Sequence, residues 1–177
     1  MNDTLVTIIA IFLAAILMFI FPLMTLADRN DDIIQLTVQT ETDEFVAEIR
    51  RTGKLTEDQY NNFITSISTT GNTYEVEMEF KILDENPGKK TAQGNATVIG
   101  ENVYYSVYTT QITEKLGNST SKNTYYLKEG DIVSVSVKNT NQTLAQTLRG
   151  VYYKVTGGND TYTIFASSAG IVTVNGK

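Results

Sequence analysis

The chain has 177 residues, no cysteine, no histidine and six more acidic than basic side chains. It therefore lacks the basic footprint that nucleic-acid binding needs, and disulfides, thiol nucleophiles, Ser-His or Cys-His pairs and the usual zinc sites are excluded. With 41% hydrophobic and 19% charged residues the composition is that of a folded protein, and no reaction is legible in it.

Leu5 to Leu26 is a run of 22 residues without a charge, with Thr7 and Thr25 as its only polar side chains. As a helix it would be roughly 33 Å long, enough to cross a bilayer core of about 30 Å. Fourteen of these residues are Leu, Ile, Phe or Val, so insertion is favourable by several kcal/mol. A cleaved signal peptide is the competing reading: Thr25-Leu26-Ala27 offers a loose cleavage site and Pro22 a break before it. However, Met1-Asn2-Asp3 has no basic residue and the apolar run is longer than a signal needs, so a retained single span is expected. Arg29, set among Asp28, Asp31 and Asp32, would by itself favour a cytoplasmic body. The Thr-, Asn-, Ser- and Tyr-rich remainder reads instead as surface-exposed, and an extracytoplasmic or cell-surface C-terminal domain is expected.

Asp28 to Arg51 contains no Gly or Pro, and Ile34, Val38, Phe45 and Ile49 follow helical spacing with Thr42 interrupting the stripe. The spacing predicts one long helix, apolar all round to Leu26, amphipathic beyond it, and stopped at Gly53. Thr56 and Gln59 then form a capping box with Leu55 and Tyr60 placed as a staple. A second helix follows, with Tyr60, Phe63, Ile64 and Ile67 on one face and Gly71 closing it.

From Tyr74 the period changes to two: Tyr74, Val76, Met78, Phe80 and Ile82 share one face, Glu75, Glu77, Glu79 and Lys81 the other. Asp84 to Lys90 reads as a polar loop turning at Pro87-Gly88. Val98 to Leu116 fits either period, and a helix from about Val103 to Gly117 is preferred. Asn118 to Asn123 is a polar loop. Thr124–Leu127 and Ile132–Val137 are expected to form a hairpin around Lys128-Glu129-Gly130. A short helical turn from Thr143 to Arg149, bounded by Asn141 and Gly150, is expected next. Val151–Thr156 and Tyr162–Ala166 should form a hairpin at Gly157-Gly158, and Ile171–Val174 a last strand. The sum is an α+β fold, helices on one side of a mostly antiparallel sheet, divided as 1–27 anchor, 28–70 stalk and second helix, and 71–177 β-rich globular part.

The chemistry-bearing residues have plain explanations. Glu75, Glu77 and Glu79 are spaced about 7 Å apart along a strand, which suits a solvated face better than a calcium site. Asp84, Glu85 and Asn86 lack the spacing of a calcium loop, Gly157-Gly158 lacks the helix and Lys of a phosphate cradle, and Lys89-Lys90 is a loop tip. Asn2, Asn95, Asn118, Asn141 and Asn159 head Asn-X-Ser/Thr triplets, evidence here of polar loops only. No catalytic, metal or cofactor-binding residue is assigned, and no small-molecule substrate or nucleic acid is implied. Three adjacent tyrosine pairs, Tyr104-Tyr105, Tyr125-Tyr126 and Tyr152-Tyr153, suit core edges and subunit contacts alike. Tyr104, Tyr125 and Tyr152 are taken as possible assembly contacts. Leu5, Ile8, Phe12, Ala15, Phe19, Pro22 and Leu26 are taken as the membrane and helix-packing residues. Asp3, at the head of the span, could pair with a neighbouring copy's amino terminus.

An apolar N-terminal helix with a proline inside it, Leu5 to Leu26 with Pro22, running into an amphipathic stalk, Asp28 to Arg51, and then a strand-rich part, resembles type IV pilin-like proteins. It is most similar to the TadE-like minor pilins of tight-adherence systems. Most pilins carry a glutamate near the start of the span; here Asp3 is the one acidic residue there. The resemblance implies a non-enzymatic subunit of a surface filament or secretion apparatus, whose partners are the lipid bilayer and other pilin-like subunits. A permanently anchored scaffold of a secretion or conjugation machine is the alternative, and a membrane-anchored enzyme the third.

Overall fold

The computed structural model describes residues 2–84, 104–117, 123–157 and 163–176. The turn expected at Pro87-Gly88, Glu85, Asn86, Lys89, Lys90, residues 98–103, the loop to residue 122, Gly158, Tyr162 and the triplets at Asn95, Asn118 and Asn159 lie outside them.

Helix α1 runs unbroken from Asn2 to Thr52, so the expected span and stalk are one rod of roughly 77 Å that continues through Pro22. It ends at Gly53, whose φ of +65° favours glycine, and a Cβ there would approach the carbonyl oxygen of Val174 to 2.2 Å. Strand β1 (Lys54–Thr56) follows at once. Helix α2 (Glu57–Ser68) opens with the expected box: the amide of Gln59 donates to Thr56 Oγ1 at 3.2 Å, and the amide of Thr56 to Gln59 Oε1 at 2.9 Å. Phe63 and Ile67 of its apolar face are buried, and the Phe63 ring stacks on Phe45 of α1 at 4.3 Å.

Strand β2 (Tyr74–Leu83) turns Met78 and Phe80 into the core. Residues Tyr104–Tyr108 then form strand β3, and only Thr109–Leu116 is helical, as α3. This corrects the helix expected from Val103. The backbone of Tyr104–Tyr108 pairs antiparallel with Glu79–Leu83, and the rings of Tyr105 and Tyr108, whose spacing also fits a helical stripe, are exposed. Thr109 takes the next rung with its side chain, accepting from the amide of Met78 at 2.7 Å, and α3 then buries Ile112 and Leu116.

The expected hairpin between Thr124–Leu127 and Ile132–Val137 is also corrected. Strand β4 (Thr124–Tyr126) pairs with β1, whereas β5 (Ile132–Asn139) pairs with β2. The turn between them is fixed by buried Asp131, whose carboxylate accepts from the amides of Lys128 (2.7 Å) and Leu83 (2.9 Å). Helix α4 (Leu144–Thr156) runs through Gly150 and ends at Gly157, with φ +76°. Val151–Thr156 is therefore helix and not a hairpin strand: the box of Thr143 and Gln146 starts it, and packing against α1 outweighs the strand preference of Val-Tyr-Tyr. Strand β6 (Phe165–Ile171) replaces the two short strands expected around Ala166 and Ile171, pairing along β5 from Lys138 to Ile132.

The main sheet is antiparallel in the order β3-β2-β5-β6, and the molecule is α+β. Val76, Met78 and Phe80 face Val137, Val135 and Val133 across β2 and β5 on the side covered by α1 and α2. Glu75, Glu77 and Glu79 face Lys138, Ser136 and Ser134 on the other. Helix α1 lies along β6 and binds its backbone with side chains. The Gln35 amide group donates to the carbonyl of Phe165 and accepts from its N–H, at 2.6 and 2.9 Å, and Gln39 does the same for Ser167 at 3.2 and 3.3 Å. Arg50 Nε donates to the carbonyl of Ile171 at 2.9 Å. The match has a geometric basis: four residues of helix rise about 6 Å, close to the two-residue repeat of a strand.

Candidate functional site

From Asp3 to Leu23 every residue of α1 is exposed. Leu5, Ile8, Phe12, Ala15, Phe19, Pro22 and Leu26 are all exposed, Phe12 and Phe19 by more than 70%. The two hydroxyls of the run Leu5 to Leu26 are satisfied within the helix: Thr7 Oγ1 donates to the carbonyl of Asp3 at 2.7 Å, and Thr25 Oγ1 to that of Phe21 at 3.0 Å. Pro22 has no N–H to give to the carbonyl of Met18. The helix is long and apolar enough to cross a membrane, and a contiguous apolar surface of this size calls for lipid or other helices to cover it.

Beyond Leu26 the faces of α1 separate. Ala27, Asp31, Ile34, Val38, Thr42, Phe45, Val46 and Ile49 are buried, while Ile33 and Leu36 on the opposite side stay exposed. Thr42 fits the buried stripe because its hydroxyl donates to the carbonyl of Val38 at 2.7 Å.

Where the bare half meets the packed half, α4 is fastened to α1 by two polar contacts. Arg149 Nη2 donates to Asp28 Oδ1 at 2.7 Å, a partly exposed ion pair. The Thr143 hydroxyl, at the cap of α4, donates to Asp31 Oδ2 at 2.5 Å. Burial pushes the Asp31 carboxyl above the usual carboxylate range; the Thr143 hydrogen bond and the Arg149 charge oppose the shift, and the charges of Asp28 and Asp32 add to it. Sequence reasoning left Asp31, Thr143 and Arg149 unassigned. The capping spacing Thr143-x-x-Gln146, identical to Thr56-x-x-Gln59, was the available signal for α4.

The tyrosines fall at two ends of the molecule. Tyr104 is half-buried, its hydroxyl 3.3 Å from the carbonyl of Gly130. Tyr125 is a core residue, edge-on to Phe80 at 5.3 Å with the Lys115 ammonium 4.0 Å from its ring centre, and its neighbour Tyr126 is the exposed ring of that pair. Both lie toward the Gly53 end of α1. Tyr152 is exposed on α4, its ring 5.7 Å from that of Tyr153. The structure therefore does not bring Tyr104, Tyr125 and Tyr152 together, and Asp3 stands exposed at the far tip of the rod. On the outer sheet face Glu79 accepts from the Ser106 hydroxyl at 2.7 Å, and among the described residues no three His, Cys, Asp or Glu side chains are grouped to hold a metal ion.

The fold and site together define an α+β protein built on one long helix, half of it bare and apolar. Comparison of the chain with protein-family models, with curated proteins and with solved structures finds no match in any of the three.

Proposed function

We propose that the protein is a pilin-like structural subunit that sits in the membrane through residues 5–26 and assembles with other copies or related subunits through the same helix. The observation that carries this reading is the division of α1: one uninterrupted helix, bare from Asp3 to Leu23 and, from Ala27 onward, packed against α4 and then along an antiparallel sheet. Lipid covers the bare half before assembly and neighbouring helices cover it afterward, with interhelical packing replacing lipid contacts. Pro22 lowers the cost of bending during that transfer, because one backbone hydrogen bond is already missing. The globular part forms the outer surface, outside the cytoplasm. The work done is assembly, and no group on the described surface is needed as an acid, base or nucleophile.

Shearing cells that express a C-terminally tagged chain, then separating large assemblies from membranes, tests the proposal. The tag is expected in the sheared high-mass fraction. Retention in the membrane alone would overturn the filament role and leave the permanently anchored scaffold.

A further inference from the structure

Helix α4 differs in chemistry from the acidic chain that carries it. Between Thr143 and Gly157 there is no Asp or Glu, and the charged residues are Arg149 and Lys154. Its exposed side chains include Val151, Tyr152 and Lys154, with Tyr153 half-buried beside them. With Arg149 paired to Asp28, the exposed Lys154 and Tyr152 are the side chains of this helix that suit an anionic membrane surface.

Its position suits the same partner. Thr143 is fastened to Asp31 and Arg149 to Asp28, two anchors about 4.5 Å apart along α1, so α4 proceeds from Thr143 in the direction of the apolar run. Ala27 is buried and Met24 half-buried although Leu23 and Leu26 beside them are exposed, and the neighbouring Asp28 and Asp31 are the residues of α1 that α4 holds. Val151 and Tyr152, exposed on the turn after Arg149, therefore follow the Asp28 contact on the side of α4 that leads toward the last turn of the span.

We propose that α4 is a membrane-surface helix that lays Val151 and Tyr152 into the boundary between lipid headgroups and acyl chains while α1 crosses the bilayer. The inference rests on residues 5–26 being a membrane span and is independent of filament assembly. Its consequence is orientational: a second point of contact fixes how the sheet sits over the bilayer.

The chain has no tryptophan, so single reporters can be placed in the full-length protein. Tyr152→Trp and Val151→Trp probe α4, Phe19→Trp probes the span, and Tyr126→Trp, beside Lys54 at the other end of α1, is the remote control. Each is reconstituted in phosphatidylcholine and phosphatidylglycerol vesicles containing lipids brominated either near the carbonyls or deep in the chain. The expected result is loss of emission from both α4 reporters with shallow bromines, from Phe19→Trp with deep bromines, and from Tyr126→Trp with neither. Quenching of Phe19→Trp with both α4 reporters unquenched would overturn the proposal and leave the span standing. A blue-shifted but unquenched α4 reporter would overturn it in favour of a covering protein surface. No quenching of Phe19→Trp would overturn the span, and the proposal with it.

Discussion

Two buried aspartates show how differently one side chain can be used. Asp131 closes the turn before β5 and holds two backbone donors, those of Lys128 and Leu83. Asp131→Ala strips both of their partner in the interior and is expected to cost about 1–3 kcal/mol, seen as a lower midpoint in thermal unfolding of the micelle-bound protein. Asp31 instead accepts one side-chain hydrogen bond, and its carboxyl is raised above 3.8 chiefly by burial. A raised carboxyl binds its proton more tightly in the folded state than in the unfolded chain. Its contribution is therefore full below the unfolded value and is lost as pH rises through the folded one. Asp31→Asn keeps an acceptor for Thr143 and removes the charge. Its unfolding midpoint should exceed that of the native chain at pH 7, with the difference shrinking as pH falls toward 4; a pH-independent difference would refute the assignment.

Elements were legible in the sequence to the extent that their signals were local. The apolar run, the period-two alternation of β2 and the Thr56-Gln59 box each need only neighbouring residues, and α1, α2 and β2 stand where those signals place them. Strands β1 and β4 are three residues each and exist because they meet across some 70 positions, which no local pattern carries. Tyr104–Tyr108 has both periods, and the unpaired end of β2 decides between them. At Gly150 a local rule misled: glycine often follows a helix, yet here it lies inside α4 with nothing within 4 Å of an added Cβ. Gly150→Ala is accordingly expected to stabilise the protein by about 1 kcal/mol, read from unfolding midpoints. Were residue 150 a helix terminator, the substitution would lower the midpoint.

For the molecule as a whole the balance to weigh is that of the span. Its apolar residues contribute on the order of 4–8 kcal/mol toward insertion, and one arginine near the centre costs about 3. Phe12→Arg alone should leave the protein in the membrane fraction after alkaline extraction. Phe12→Arg with Phe19→Arg brings the balance near zero and should release a large part of it; equal retention of both variants would mean that something other than this run holds the protein there. The facing of the tyrosine pairs was the least legible part of the sequence. Tyr125 and Tyr126 are adjacent and chemically identical, and only the packing of β4 over α3 sends one inward and the other outward.

The glutamine pair on α1 has a consequence for the edge of the sheet. An edge strand with bare amides and carbonyls is a template on which another chain can add itself without limit. At β6 much of that template is already occupied, since Gln35 and Gln39 hold the outward N–H and carbonyl of Phe165 and Ser167, and Arg50 the carbonyl of Ile171. Addition of another chain along these positions of the edge is thereby opposed, and the helix that carries the apolar run also guards part of the sheet.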